Sequence, residues 1–102
     1  MERIAGFDWD DANRGKCQKH GVSIEEIEAL FADDVRVAPD LKHSAREDRF
    51  FAVGRNSVGR PMFVAFTFRE QSGRKLIRPV SARYMHKKEI AAYEKESSKT
   101  ED

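Results

Sequence analysis

Residues 62–83 read MFVAFTFREQSGRKLIRPVSAR, and this stretch decides the fold. Met62 to Phe68 is rich in aromatic and β-branched residues, as strands are. In an extended chain Met62, Val64, Phe66 and Phe68 point to one face while Phe63, Ala65 and Thr67 point to the other. Gln71-Ser72-Gly73 is a turn signal, and a second strand is expected from Lys75 to about Arg83. So short a connection requires the two strands to run antiparallel. Pro79 has no amide hydrogen, so the second strand is expected to lie at an edge or to carry a bulge there. Both faces of residues 62–68 hold apolar side chains. Either helices of the same chain cover both, or one face meets another protein.

Upstream, Phe50 to Val53 reads as a strand followed by Gly54 and a turn region containing Asn56, Ser57 and Gly59. Val35 to Ala38 reads as a strand ended by Pro39, and the charged residues Asp40 to Asp48 form a loop. Two helices precede these strands. Asp10 can cap a helix running to about His20, with Gly21 suited to the left-handed position beyond its end. Ala12 and Cys17 are its only apolar interior residues, so it is expected on the surface. Ser23 and Glu26 form a capping box for a second helix, in which Ile24, Ile27, Leu30 and Phe31 recur at three- and four-residue spacing and face the core. A final helix runs from about His86 to Glu96, with His86, Ile90 and Tyr93 on one stripe. The expected architecture is α+β: two N-terminal helices, a four-stranded antiparallel sheet and a C-terminal helix. Residues 1–96 form one domain and 97–102 a polar, disordered tail.

A chain of 102 residues with 39% hydrophobic and 10% aromatic residues fills one modest core. No apolar run approaches the roughly 18 residues that cross a bilayer, and Met1 to Gly6 lacks the apolar stretch of a signal peptide, so a cytoplasmic protein is expected. Cys17 is the only cysteine, which rules out an intrachain disulfide. The net charge of +1 conceals blocks: four Lys/Arg against nine Asp/Glu in residues 1–35, thirteen against four in 36–88, and two against five in 89–102. The basic middle block suits phosphate, and the acidic flanks limit indiscriminate adhesion.

The chain has no phosphate-cradling glycine loop, no dinucleotide fingerprint and no nucleophile elbow, which argues against nucleotide-driven chemistry. Cys17, His20, His43 and His86 match the ligand count of a zinc site, but their spacing brings only the first two onto one helix face, so no metal and no cofactor is expected. The remaining polar groups suit phosphodiester chemistry. Lys16, Lys19 and His20 cluster near the end of the first helix, where Asn13, Lys16 and His20 share a face and form one wall of a groove. Arg49 opens the second strand, and Arg78, Ser81 and Arg83 lie on the fourth, where guanidinium groups can grip phosphate oxygens. Cutting RNA needs a base for the 2′-hydroxyl proton, cations on the phosphorane and an acid for the leaving 5′-oxygen. His20 and His86 are candidates for the proton transfers, since histidine takes and gives protons at neutral pH. Structural roles compete with each of these. His20 can cap the first helix, Arg49 can pair with Glu47 or Asp48, and Arg83 can pair with Glu89. Arg78 and Arg83, five apart, face opposite sides unless Pro79 introduces a bulge. Trp9 is expected to anchor the amino terminus to the core.

Phe7-Asp8-Trp9-Asp10, Lys19-His20-Gly21-Val22-Ser23, Glu25-Glu26, Phe31, Asp33, Arg49 five residues before Gly54, and Val80-Ser81-Ala82-Arg83 with Glu89 and Tyr93 occur in this order. The combination resembles the BrnT family of toxins from type II toxin–antitoxin modules, over about Phe7 to Tyr93. The resemblance implies a RelE-like ribonuclease toxin fold, metal-independent endoribonuclease activity that inhibits translation, and neutralisation by a BrnA-type ribbon-helix-helix antitoxin in a 2:2 complex. It also implies that DNA is reached only through the antitoxin. On this reading His20, Arg49, Arg83 and His86 are catalytic, while Lys16, Lys19, Arg78 and Ser81 bind RNA. The sequence departs from the family at Asp11, Asn13 and Cys17, where proline, lysine and asparagine are common, so two polar groups of the first helix are altered. The competing class is a non-catalytic module that binds an antitoxin-like partner, and growth on induction of the chain alone separates the two.

Overall fold

The computed structural model describes residues 4–33, 35–43 and 48–100, the side chains of 43 and 97–100 excepted. Its elements in chain order are β1 (Gly6–Phe7), α1 (Asp11–Gln18), α2 (Ile24–Ala32), β2 (Arg36–Pro39), a 3-10 turn (Leu41–His43), β3 (Phe50–Arg55), β4 (Pro61–Gln71), β5 (Arg74–Tyr84) and α3 (Lys87–Thr100). The hairpin of 62–83 is the centre of the molecule. Ser72 and Gly73 both adopt positive φ, 54° and 73°. This is the primed two-residue turn whose twist matches that of the strands it joins.

The sheet corrects the expectation of four antiparallel strands: it has five, in the order β1-β5-β4-β3-β2, and is mixed. β1 pairs parallel to β5, Gly6 with Leu76 and Phe7 with Ile77. A two-residue strand has no alternation to read, and its partner comes from the opposite end of the chain. β5 is therefore interior where β1 flanks it, and Pro79 is accommodated by the bulge. Ala65 stands opposite Ser81 and Phe66 opposite Pro79, so Val80 is the extra residue. The bulge resets the alternation. Phe63, Ala65 and Thr67 pair with Arg83, Ser81 and Arg78, which puts Arg78 and Arg83 on the same face of the sheet.

One face carries the core. Ala52, Met62, Val64, Phe66 and Ile77 pack against Ile27 and Leu30 of α2 and Cys17 and Val22 around the end of α1. Phe31, Phe50 and Phe68 surround Phe66 with ring centroids 5.0–5.6 Å apart, the offset and edge-on geometry that aromatic rings prefer. α2 approaches so closely that a Cβ on Gly54 would lie 2.5 Å from Leu30 Cδ1. Its capping box is the one the sequence predicts, with Ser23 accepting from the Glu26 amide and Glu26 from the Ser23 amide. Glu26 also accepts from Tyr84 of β5 and Asn56 of the β3–β4 turn. Burial works to raise the Glu26 carboxyl, but these donors outweigh it and leave the group below its ordinary value.

α1 is shorter than expected. It stops at Gln18 rather than His20, and Gly21 follows with φ 90°. The helix lies on the surface, with six of its eight residues exposed, and only Asn13 and Cys17 are buried. Asn13 completes a capping box with Asp10, and its Nδ2 donates to the carbonyls of Asp8 and Pro79, both at 2.9 Å. Trp9 is half-buried against the core and donates to Glu28 at 2.9 Å. α3 continues to Thr100, four residues past its expected end and into the segment read as a tail. It lies over the second face of the sheet, tied by Arg83–Glu89 and Arg55–Glu94 ion pairs and by Arg36 and Arg55 over the Tyr93 ring. No helix among the described residues is long and apolar enough to cross a membrane.

Candidate active site

The second face of the sheet is only partly covered by α3. Val53 and Phe63 of β3 and β4 line an apolar cavity of about 370 Å³ beneath that helix, with Met85, Ala92 and Tyr93. Beside it, a smaller cleft of about 140 Å³ is lined by His20, Phe51, Phe63, Ala65, Ser81, Ala82 and Arg83. Its floor is apolar and its rim holds an imidazole, a hydroxyl and a guanidinium.

These three groups meet because of local structure. α1 rests on β5 through the Asn13 bond to Pro79, at the bulge itself. Gln18 ends the helix, the chain turns at Lys19 and His20, and His20 is delivered to the rim of the cleft. Asn13 is therefore not on a wall with Lys16 and His20, as helical spacing suggested. It is 3% exposed and turned inward, while Lys16, Lys19 and His20 are exposed. The residues at 13 and 17 are thus interior, and neither lines the cleft.

Arg83 is fixed rather than free. Its Nη1 and Nη2 each donate to Glu89 at 2.8 Å, and its guanidinium carbon stands 4.7 Å from the Phe63 ring centroid. Its hydrogen bonding to Glu89 raises the Arg83 pKa further and keeps its charge secure. In return, Arg83 first and the His86 amide second hold the Glu89 carboxyl down to about 2. His86 is exposed at the head of α3, where its backbone N–H donates to Glu89 at 2.8 Å. It therefore joins the site through Glu89 and does not line the cleft. Arg78 shares the sheet face but pairs with Asp10 at 2.9 Å and Asp8 at 3.4 Å, with 19% of its side chain exposed. It props the start of α1. Arg49 directly precedes β3, half-buried, its carbonyl accepting from the Asp40 amide; it does not line the cleft.

Cys17 is fully buried, and burial pushes its thiol up to about 11 despite the nearby charges of Arg78 and Lys16. A metal-binding thiolate is disfavoured there. Among the described residues no three His, Cys, Asp or Glu side chains stand close enough to share a metal ion; the His43 side chain lies outside them. Phe51 and Phe63 in the floor went unassigned in the sequence, since only the strand register reveals that they adjoin Ser81 and Arg83.

Residues 9–89 match a family described as the ribonuclease toxin BrnT of type II toxin–antitoxin systems. The chain belongs to the BrnT family. A comparison with curated proteins returned no match. The matched span of this BrnT chain begins at Trp9 and ends at Glu89, so it takes in His20, Ser81, Arg83 and the carboxylate that holds Arg83. BrnT is a ribonuclease, its substrate is RNA, and its place in a type II system gives it an antitoxin partner.

Proposed function

We propose that this BrnT chain is a metal-independent endoribonuclease that cuts at the cleft of His20, Ser81 and Arg83. The observation that carries the reading is the meeting of these three groups, drawn from the end of α1 and from β5, at one cleft. In the proposed reaction the 2′-hydroxyl attacks the adjacent phosphorus and His20 takes its proton. The 5′-oxygen leaves with a proton from a second acid, for which His86 is the nearest candidate along the chain. Arg83 stabilises the charge that develops on the phosphorane, and Ser81 hydrogen-bonds a phosphate oxygen. Lys16 and Lys19 flank His20 on the exposed side and draw the backbone in, and Arg49 and Arg78 extend the basic field. The products are a 2′,3′-cyclic phosphate, or its opened 3′-phosphate, and a 5′-hydroxyl.

The same reading takes the helix-and-sheet layout as RelE-like, the setting as cytoplasmic, and the partner as a BrnA-type ribbon-helix-helix antitoxin in a 2:2 complex that alone contacts DNA. The basic block of residues 36–88 supports an acidic contact surface on that partner. The test is cleavage of single-stranded RNA by the purified chain in excess EDTA. Activity should persist, His20→Ala should abolish most of it, and Arg83→Ala should lower kcat by about 100- to 1,000-fold, the usual loss for one charge-stabilising donor. Inactivation by EDTA with recovery on adding a divalent ion, or full activity in both variants, refutes the proposal.

A further inference from the structure

Phe51 and Phe63 are adjacent across β3 and β4 on the second face, with ring centroids 6.1 Å apart and planes at 61°. Both are half-buried, neither is absorbed into the core cluster, and both line the cleft whose rim is His20, Ser81 and Arg83. Arg83 lies over one of the two rings. We propose that this aromatic floor is a stacking site for one unpaired base, which restricts the toxin to single-stranded RNA. The inference rests on the cleft being the cleavage site and adds the part of the substrate it holds.

Three features select this occupant. The volume of about 140 Å³ falls below the roughly 300–1,000 Å³ of pockets that enclose whole small ligands. A planar ring system enters while its sugar and phosphate stay outside, where Arg83 and His20 stand. The floor is built of two phenyl rings, surfaces to which any base can stack, and proteins that hold single strands combine aromatic side chains with cations in this way. The polar side chains lining the cleft are those of His20, Ser81 and Arg83, all on its rim. With those three given to the phosphate, the apolar floor meets a base by its faces and makes no strict choice among bases. A duplex is excluded on the same geometry, because its bases lie within the stack and must be flipped out before an aromatic floor can reach them.

The probe is a short 2′-O-methyl RNA carrying 2-aminopurine, which cannot be cleaved and whose fluorescence falls when the base stacks. Wild type should quench it as a single strand and bind the same strand in a duplex at least about tenfold more weakly. Phe51→Leu keeps apolar volume but removes the π-face, and should weaken single-strand binding by about 5- to 150-fold. Phe51→Tyr should retain it. The contrast of single strand with duplex uses the unaltered protein, so it decides the matter even if Phe51→Leu fails to fold. Equal affinity for the duplex, or wild-type affinity in a folded Phe51→Leu protein, overturns the proposal. So does a Phe51→Leu protein that binds RNA normally but escapes its antitoxin, which would assign the face to the protein partner. Arg83→Ala run alongside separates the two readings. Lost cleavage there with a neutral Phe51→Leu leaves the cleavage site standing and removes the stacking site; the reverse pattern leaves the stacking site and removes Arg83 from catalysis.

Discussion

Replacing Asn13 should damage stability first and the reaction second. Its side chain accepts from the Asp10 amide at 2.7 Å and donates to the carbonyls of Asp8 and Pro79 at 2.9 Å. Asn13→Ala leaves one donor and two acceptors without their partner. Water can reach the Asp10 end, but Pro79 is fully buried and its carbonyl pays the larger desolvation penalty. With about 0.5 kcal/mol for each of the two bonds that water can replace, at Asp10 and Asp8, and about 2 for the buried Pro79 carbonyl left unsatisfied, the total is about 3 kcal/mol. For a domain of this size that lowers Tm by about 12–24 °C. Asn13→Asp is nearly isosteric yet turns carboxylate oxygens toward two carbonyl oxygens, so above the carboxylate range it should be at least as harmful. Urea unfolding followed by circular dichroism, with the slope checked against wild type, measures both changes. At a temperature where Asn13→Ala remains folded, kcat should also fall, because α1 loses its tie to β5 and His20 its position beside Arg83. A loss below about 0.5 kcal/mol would place the variant among ordinary surface substitutions and refute the claim that this side chain fastens α1 to the bulge.

Three further outcomes follow from the packing and charges. Gly54→Ala should cost about 1–3 kcal/mol by overpacking, since its new methyl would meet Leu30 Cδ1 at 2.5 Å; a melting curve unchanged from wild type would mean that α2 yields freely. Glu89→Gln should lower stability at neutral pH by about 0.5–1 kcal/mol, limited by solvent because the Arg83 and Glu89 side chains are 40% and 31% exposed. The folded carboxyl lies at about 2, below its ordinary value. The wild-type advantage is therefore complete above the ordinary carboxylate range and shrinks as pH falls through about 2, which unfolding at a series of pH values detects. Cys17 should resist a thiol reagent in the folded protein and react once denatured, given its burial and a thiol pushed up to about 11; fast labelling under native conditions would contradict that.

What the sequence made legible was whatever is fixed by near neighbours. The Ser23–Glu26 capping box, the turn at Ser72-Gly73 and the pairing of Arg83 with Glu89 all lie within a few residues, and each forms as the local chemistry dictates. β1 was not legible, because two residues carry no period and its partners Leu76 and Ile77 are decided by the rest of the sheet. Pro79 signalled an irregularity without saying which kind. Only the pairing of Ala65 with Ser81 and Phe66 with Pro79 shows that Val80 is the inserted residue and that Arg78 joins the face of Arg83. In the site, helical spacing alone grouped Asn13 with Lys16 and His20. The early stop at Gln18 and the inward turn of Asn13 broke that group. Arg78 was read as a phosphate grip because its charge is visible in the sequence, whereas its partners Asp8 and Asp10 are 70 and 68 positions away.

The contacts that join α1 to β5 also set a timetable. Asn13 meets Pro79 across 66 positions, and Arg78 meets Asp8 across 70. Contacts of such sequence separation form late, since a long loop must close before they reward it. During synthesis the amino-terminal segments emerge first, at about 5–20 residues per second. His20 is therefore out of the ribosome seconds before Arg83 exists beside it, and the cleft has no rim until β5 has been translated and has docked. If the proposed site is the nuclease centre, the nascent toxin lacks it for most of its own elongation, and an antitoxin already present has that interval in which to meet it.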